Sequence, residues 1–198
     1  MSFSQKQKRK KPSKVVIIGD SNVGKTCIIE RFIHNTFEST QPTIGACHFN
    51  KKYNDVDLDI WDTAGQERFR SMIPMYFKGS KCIIICFDIT DVNTFEGAKK
   101  WIKEIEQNVK NSFIFIVGNK CDLENRKVPS EMVSNFSHSN GYEYIETSAK
   151  ENINIDVLFE KIAEKIKEIN VNEENNYNNN VDIKNFNNED DDSFCGCK

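Results

Sequence analysis

The chain contains 198 residues, of which 38% are hydrophobic and 29% are charged, with a formal net charge of -3 and seven cysteines. This length and composition predict one globular domain with a core of ordinary size. No apolar stretch approaches the ~18 residues that span a bilayer, and no secretory signal is evident, so we expect a protein that stays in the cytosol. The cysteines lack zinc-type spacing with histidines, so most of them are expected to be reduced core residues.

Apolar runs alternate with amphipathic stretches along the chain. The runs at 15–18, 56–61, 82–87, 113–117 and 142–145 predict strands, and the stretches at 25–34, 92–109, 130–139 and 153–169 predict helices. This alternation is typical of an α/β fold with a mostly parallel sheet covered on both faces. Before Trp61, the segment KKYNDVDLD predicts a hairpin that turns at Asn54 and Asp55, with Lys52 facing Asp57 across the strands.

The two ends of the chain differ in charge. Residues 1–14 carry six Lys or Arg and no acid, whereas residues 171–198 carry two Lys and seven Asp or Glu. Ten of the nineteen residues from 170 to 188 are Asn, a composition too poor in apolar groups to offset the entropy of ordering. We therefore predict a basic disordered arm over 1–13, a folded domain over 14–169 and an Asn-rich, acidic, disordered tail over 170–198.

The segment GDSNVGKT, residues 19–26, fits the pattern G-x-x-x-x-G-K-[ST] between a predicted strand and a predicted helix. In that position, backbone N–H groups and the helix N terminus can converge on a phosphate. Lys25 would reach the outer phosphates, and the Thr26 hydroxyl would bind Mg²⁺. A glycine-rich turn without a ligand is the alternative interpretation, and the loop alone does not separate ATP from GTP.

Two later segments favour guanine. GNKCD, residues 118–122, and ETSAK, residues 146–150, each follow a predicted strand, where ligands of open α/β sheets bind. The Asp122 carboxylate can accept hydrogen bonds from N1 and the 2-amino group of guanine, whereas adenine would leave it unpaired. The Ala149 N–H can donate to guanine O6. Either segment by itself could be an ordinary polar loop.

The segment WDTAGQERFR, residues 61–70, ends the predicted strand at 56–61. Asp62 can hold a Mg²⁺-bound water, and the Gly65 N–H can bond the γ-phosphate and so sense its presence. Gln66 could orient an attacking water. A charged surface turn is the alternative interpretation of this segment.

Together, GDSNVGKT, PTIG, WDTAGQERFR, GNKCD and ETSAK resemble, in this order, the five nucleotide motifs of the Ras superfamily of small GTPases over residues 14–169. The wording WDTAGQERFR and FDIT resembles the Rab family, and TIGA with PMYFKGS is similar to its early-endosomal subgroup. The resemblance implies a P-loop NTPase G domain, built on a six-stranded mostly parallel sheet with helices on both faces. It also implies a molecular switch of vesicle traffic that hydrolyses GTP to GDP and phosphate.

The resemblance assigns roles to individual residues. Magnesium would be bound by the hydroxyls of Thr26 and Thr43 and, through water, by Asp62, while Gln66, Lys25 and Thr43 would be catalytic. Phe37 would pack against the base. The nucleotide contacts implied are Ser21, Asn22, Val23, Gly24, Lys25, Thr26, Cys27, Phe37, Thr43, Gly65, Asn119, Lys120, Asp122, Leu123, Ser148, Ala149 and Lys150.

The resemblance also implies partners and a membrane anchor. The expected partners are an exchange factor, a GTPase-activating protein, a GDP-dissociation inhibitor or escort protein, and effectors at the switch regions. Nucleic acid is not among them, and the chain is expected to be a monomer. Cys195 and Cys197 would both be prenylated, with a single lipid on Cys195 as the alternative. The expected location is the cytosol and the cytoplasmic face of endomembranes, such as the early endosome.

Three departures from the Rab pattern limit the resemblance. Five residues separate Phe37 from Thr43 where Rabs usually have six, Phe49 lies one position late, and the stretch 49–61 is several residues short. These departures leave open whether Phe49 contacts partners. They also raise a second hypothesis, a nucleotide-binding scaffold whose switching or hydrolysis is impaired by the short hairpin. A third possibility, an ATP-using kinase, conflicts with Asp122.

Overall fold

The computed structural model describes residues 11–109 and 112–186, with side chains as far as residue 172. Six strands form one sheet in the order β2-β3-β1-β4-β5-β6. The strands are β1 Ser13–Ile18, β2 Ala46–Tyr53, β3 Val56–Thr63, β4 Cys82–Asp88, β5 Phe113–Asn119 and β6 Glu143–Thr147. Only β2 runs antiparallel to its neighbour among these strands. The predicted mostly parallel six-stranded α/β fold is confirmed.

Helices cover both faces of this sheet. They are α1 Lys25–His34, α2 Ile73–Phe77 after a 3₁₀ turn at Glu67–Met72, α3 Val92–Asn108, α4 Ser130–Asn140 and α5 Ile155–Phe186. Alternate residues of a strand point to opposite faces, so Ile17 packs with α1 and α5 while Ile18 packs with α2, α3 and α4. All seven residues of β4 are buried, which explains its continuous apolar run.

The hairpin of β2 and β3 pairs along its whole length, from Ala46 opposite Thr63 to Tyr53 opposite Val56. Asn54 and Asp55 form its turn with φ values of 46° and 60°, as a two-residue turn of this twist requires. Lys52 lies opposite Asp57. The predicted turn and its register are therefore confirmed.

The C-terminal helix differs from the prediction. Composition predicts disorder from residue 170, whereas α5 continues from Ile155 to Phe186. Leu158, Ile162 and Ile166 bury the first turns of α5 against the sheet. Nucleation is the costly step of helix formation, and once packing has supplied it, further Asn and Glu residues extend the helix at small cost each. The structure thus corrects the prediction of disorder for residues 170–186, while the domain limit at residue 169 stays a prediction.

The other predictions about the chain ends concern few described residues. β1 begins at Ser13, one residue before the predicted start of the domain. Residues 1–10 of the predicted arm and residues 187–198, with Cys195 and Cys197, lie outside the described residues. Within the described part, α5 is the longest helix, yet neither it nor any other helix is long and apolar enough to cross a bilayer.

The five described cysteines are all free thiols. Cys82 and Cys86 lie in the core, and burial raises the pKa of Cys86 to about 12, so its thiol stays neutral. Cys27 and Cys121 are half-buried, and Cys47 is exposed. The prediction of core positions thus holds for Cys82 and Cys86 and is too broad for the other three.

Candidate functional site

A cavity of about 550 Å³ lies at the carboxyl ends of β1, β3, β5 and β6, a size typical of small-molecule sites. Every nucleotide contact that the sequence analysis names lines it except Val23 and Ser148, and Gln66 lines it as well. Four further lining residues were not predicted: Thr40, Gln41, Pro42 and Thr63. Of these, Thr40 to Pro42 immediately precede Thr43, so proximity in sequence was the available signal.

The loop between β1 and α1 turns sharply at Gly24. Its φ is 92°, and a Cβ atom there would meet the Asn119 side-chain nitrogen, so only glycine fits both the conformation and the space. Among the residues that the structure describes, no side chain caps the first turn of α1, which leaves the backbone N–H groups of that turn available to an anion. The loop therefore has the local structure that a phosphate site needs.

Lys25 supplies a positive charge at the base of this loop. Its Nζ donates to the carbonyl oxygens of Gly19 at 2.9 Å and Asp20 at 2.7 Å, and only 6% of the residue is exposed. Burial lowers the pKa of the Lys25 amino group, and the nearby Asp62 carboxylate opposes that shift. A Cβ atom on Gly65 would collide with Nζ. Glycine at position 65 thus lets a second backbone segment approach the ammonium group.

Asp62 joins two threonines from different segments. Its Oδ2 accepts from the hydroxyl of Thr26 at 2.7 Å and from that of Thr43 at 3.1 Å, and the two hydroxyl oxygens lie 3.1 Å apart. Burial raises the pKa of Asp62, while the Thr26 hydrogen bond and the Lys25 charge oppose the rise.

The side chains of Thr26, Thr43 and Asp62 have the chemistry that a magnesium site requires. Asp62 is fully buried, and its Oδ1 has no hydrogen-bond partner among the described residues. Two hydroxyls and one carboxylate form an all-oxygen donor set, which a hard cation prefers, and Mg²⁺ is usually bound by one or two carboxylates with substrate phosphates. The residues present therefore fit a magnesium ion held by Thr26 and Thr43, with Asp62 beside it.

Asn119, the last residue of β5, connects the phosphate loop with the loop after β6. Its Nδ2 donates to the Val23 carbonyl at 2.8 Å, and its Oδ1 accepts from the Thr147 hydroxyl at 3.1 Å and the Ala149 N–H at 3.4 Å. Val23 itself is buried, so it supports the site from behind. One amide thus holds three segments of the cavity wall together.

Asp122 and Ser148 lie on the two loops, residues 118–122 and 146–150, that are predicted to bind guanine, and their side chains are in contact. The Ser148 hydroxyl donates to Asp122 Oδ1 at 2.6 Å and accepts from the Glu151 N–H at 3.0 Å. Asp122 lines the cavity, whereas Ser148 is buried beside it. Ser148 therefore orients the carboxylate without lining the cavity.

Lys120 has a left-handed backbone with φ of 67°, and its Nζ lies 2.6 Å from Asp88 Oδ2. Burial acts to raise the pKa of Asp88, but hydrogen bonds from Lys120 and Thr90 outweigh it and lower the pKa below its ordinary value. Asp88 thereby anchors the end of the Lys120 side chain, and Lys120 lines the cavity. Phe37, 45% exposed, lines the cavity as well.

The pairing of β2 with β3 determines to which face of the sheet the Phe49 side chain points. Its side chain packs against the core cluster shared by α1 and α5. On the other face His48 pairs with Asp59, and its ring centroid lies 5.0 Å from that of Trp61. The Trp61 ring in turn lies 6.0 Å from that of Tyr76. His48 therefore lies on the outer face of the hairpin with Trp61 and Tyr76, whereas Phe49 lies on the core face.

Residues 14–168 match the sequence model of the Ras family. The chain is similar to the rat protein "Ras-related protein Rab-31", with 42% identity over 170 residues that cover 82% of this chain and 87% of the relative. The chain belongs to the Rab branch of the Ras family. This Rab GTPase is also similar to "Ras-related protein Rab5A" of rice, with 40% identity over 161 residues, 78% of this chain and 79% of the relative. It is 36% identical to the fission-yeast "GTP-binding protein ypt2" over 182 residues, 87% of this chain and 91% of the relative.

Membership of this family fixes the general activity. The Rab GTPase binds GTP and GDP, hydrolyses GTP and acts as a switch in membrane traffic. Its partners in general are regulator and effector proteins.

Proposed function

We propose that this Rab GTPase is a magnesium-dependent, lipid-anchored switch on the cytoplasmic face of endosomal membranes. The observation that carries the magnesium-dependent switch is the meeting of Thr26, Thr43 and Asp62 beside Lys25. These residues come from the phosphate loop, from the segment 35–45 and from the end of β3. One terminal phosphate can therefore control two separate segments of the surface.

Lys25 and Gln66 have different roles in GTP hydrolysis. Magnesium, when bound, neutralises charge on the phosphates. The Lys25 ammonium group stabilises the negative charge that develops on the outer phosphate, in a site where burial strengthens that interaction. The Gln66 amide, at the cavity wall beside Gly65, positions the attacking water by hydrogen bonding and is too weak a base to act otherwise.

Switching follows from where Thr43 and Gly65 lie. Thr43 belongs to the segment 35–45 and Gly65 follows β3, and the Ala64 N–H donates to the Gly45 carbonyl at 2.9 Å. The two segments are therefore joined near the phosphate site, and loss of the γ-phosphate releases both of them. Ile44, which is 76% exposed, lies on the segment 35–45, and Met75, which is 67% exposed, lies with Tyr76 on α2 after Gly65. Trp61 lies nearby on β3, with its ring 6.0 Å from that of Tyr76. Effectors would recognise this surface in the GTP-bound form.

Nucleotide affinity and single-turnover hydrolysis test the proposal. We expect Mg²⁺ to tighten GDP and GTP binding at least about tenfold, because an ion held by Thr26 and Thr43 would supply positive charge beside the phosphates. Intrinsic hydrolysis should be slow, on the order of 10⁻⁴ per second. Tight nucleotide binding without hydrolysis would instead support the second hypothesis, a nucleotide-binding scaffold whose hydrolysis is impaired by the short hairpin. Affinity that ignores Mg²⁺ would contradict the metal assignment.

The anchor belongs to the segment beyond the described residues. Cys195 and Cys197 follow the Asn-rich, acidic segment, and two prenyl groups would give the stable membrane binding that one does not. An escort protein and a GDP-dissociation inhibitor would handle the lipids, while an exchange factor and a GTPase-activating protein would act at the nucleotide. Similarity to Rab5A supports the early endosome as the compartment.

Replacing Cys195 and Cys197 together by serine is expected to make the protein fully soluble in cells and to leave nucleotide affinity unchanged, because no lipid can then be attached. Membrane fractionation measures the first effect and GDP titration the second. Cys47→Ser, at an exposed cysteine of β2, is the matched control and should stay on membranes. Membrane association of the double variant would show that the basic arm or a protein partner supplies the anchor.

A further inference from the structure

Arg31 lies in α1, outside every nucleotide motif, yet its guanidinium group uses all three nitrogens. Its Nε donates to the Ala149 carbonyl at 2.9 Å, and its Nη2 donates to the Lys150 carbonyl at 3.0 Å. Its Nη1 donates to the backbone carbonyl of Asn35 at 2.9 Å and reaches the Asn35 side-chain oxygen at 3.3 Å. One planar group therefore bonds two loops that are more than a hundred residues apart in sequence.

The first of these loops forms a wall of the base cavity. Ala149 and Lys150 both line the cavity. The Ala149 N–H donates to Asn119 Oδ1 at 3.4 Å, while its carbonyl oxygen accepts from Arg31. The backbone of Ala149 is thus bonded through both its N–H and its carbonyl, and Arg31 provides one of the two attachments.

The second loop is the root of the segment 35–45, which carries Phe37 and Thr43. Asn35 has a left-handed backbone with φ of 55°, and its N–H donates to the Arg31 carbonyl at 3.0 Å. Arg31 therefore bonds Asn35 through both its main chain and its side chain. Two residues further on, Phe37 lines the same cavity as Ala149. The path of the chain from α1 into this segment depends on that attachment.

We propose that Arg31 is a positioning residue that couples the cavity wall at Ala149 and Lys150 to Asn35, the root of the segment 35–45. The inference rests on the proposed placement of guanine between the loops at 119–123 and 148–150. A base that fixes Ala149 and Lys150 fixes the guanidinium plane, and the same plane fixes Asn35 and the approach to Phe37. The base half of the nucleotide thereby acts on the segment that carries Thr43, independently of the γ-phosphate.

Only arginine has the donor geometry for this role. Its fork presents parallel and divergent N–H groups in one plane, which can serve three carbonyl oxygens at once. A lysine ammonium keeps the charge but is a point donor that cannot span both loops. Lysine at position 31 therefore separates the charge of Arg31 from its bridging geometry.

The test compares Arg31→Ala and Arg31→Lys with the parent protein, all loaded with GDP and Mg²⁺. Two quantities are measured: the GDP release rate, and amide hydrogen exchange over residues 35–43 and 146–150. His34→Ala is the matched control, because His34 lies in the same last turn of α1 and 55% of its side chain is exposed. Thermal unfolding shows whether each variant folds, and Arg31→Lys carries the test if Arg31→Ala does not.

We expect both Arg31 variants to release GDP about tenfold faster or more, because neither alanine nor lysine can bond the carbonyls of Ala149, Lys150 and Asn35 at once. We also expect both segments to exchange faster in the variants and at the parental rate in His34→Ala. A change in only one segment, a change in neither, or the same change in His34→Ala would overturn the coupling. A purely structural role for Arg31 would lower the unfolding temperature and leave the two segments at parental exchange in the folded variant, which also overturns it. Failure of the parent to bind GDP in preference to ADP would remove the proposed base site instead.

Discussion

Asp122→Asn is expected to reverse the base preference of the GTPase. The carboxylate can accept two hydrogen bonds from guanine, at N1 and the 2-amino group. An amide at this position turns one acceptor into a donor, which then faces the 2-amino group. Sites built to hydrogen-bond a ligand reject a mismatched one by large factors, so GTP affinity should fall at least about a hundredfold. Xanthine carries an acceptor at that position, so XTP affinity should rise.

The Asp122→Asn substitution should leave the structure of the loop unchanged. The Ser148 hydroxyl donates to Asp122 Oδ1, and the carbonyl oxygen of an asparagine side chain can accept the same bond. The loop should therefore keep its shape. Competition of GTP and XTP against labelled GDP measures the preference. Asp55→Asn, at the exposed turn between β2 and β3, is the control and should bind as the parent does. An unreversed preference for GTP in Asp122→Asn would refute the placement of guanine.

Gln66→Leu is expected to lower intrinsic hydrolysis at least about tenfold while GTP affinity stays within about threefold of the parent. The physical reason is that the Gln66 amide positions water and does not hold the nucleotide, so its loss removes orientation only. Single-turnover hydrolysis of bound GTP measures the rate, and titration in Mg²⁺ measures the affinity.

The control for this second substitution is the neighbouring residue. Glu67→Gln alters an exposed side chain at the start of the 3₁₀ turn and should hydrolyse at the parental rate. If Gln66→Leu hydrolyses GTP as fast as the parent, another group positions the water. If its GTP affinity falls as far as its rate, Gln66 contributes to binding.

Local chemistry explains which parts of the fold the sequence predicts well. Asn54 and Asp55 tolerate positive φ, and a two-residue turn leaves no freedom of register, so the pairing of Lys52 with Asp57 follows directly. The motif loops are predictable for a related reason, because Gly24 and Lys25 combine a fixed backbone requirement with a fixed spacing from β1 and α1.

Tertiary contacts explain the parts that sequence reasoning misses. Arg31 looks like a solvated position on a helix, and only the fold brings it to Ala149, 118 residues away. The sequence leaves open whether Phe49 contacts partners, because adjacent residues of a strand face opposite sides and only the register shows that His48 lies beside Trp61. The extension of α5 past residue 169 depends on packing of its first turns, which composition alone does not reveal.

Lys25 and Asp62 also make the stability of the fold depend on the bound nucleotide and cation. Both side chains are buried charges whose direct hydrogen-bond partners are neutral: two carbonyls for Lys25 and two hydroxyls for Asp62. Charges taken out of water in this way oppose folding unless opposite charges reach them. A nucleotide and a divalent cation that bind only the folded chain raise its free energy of unfolding in proportion to the logarithm of their concentration over Kd. We therefore expect the supply of guanine nucleotide in the cell to help set how much of this protein stays folded and escapes degradation.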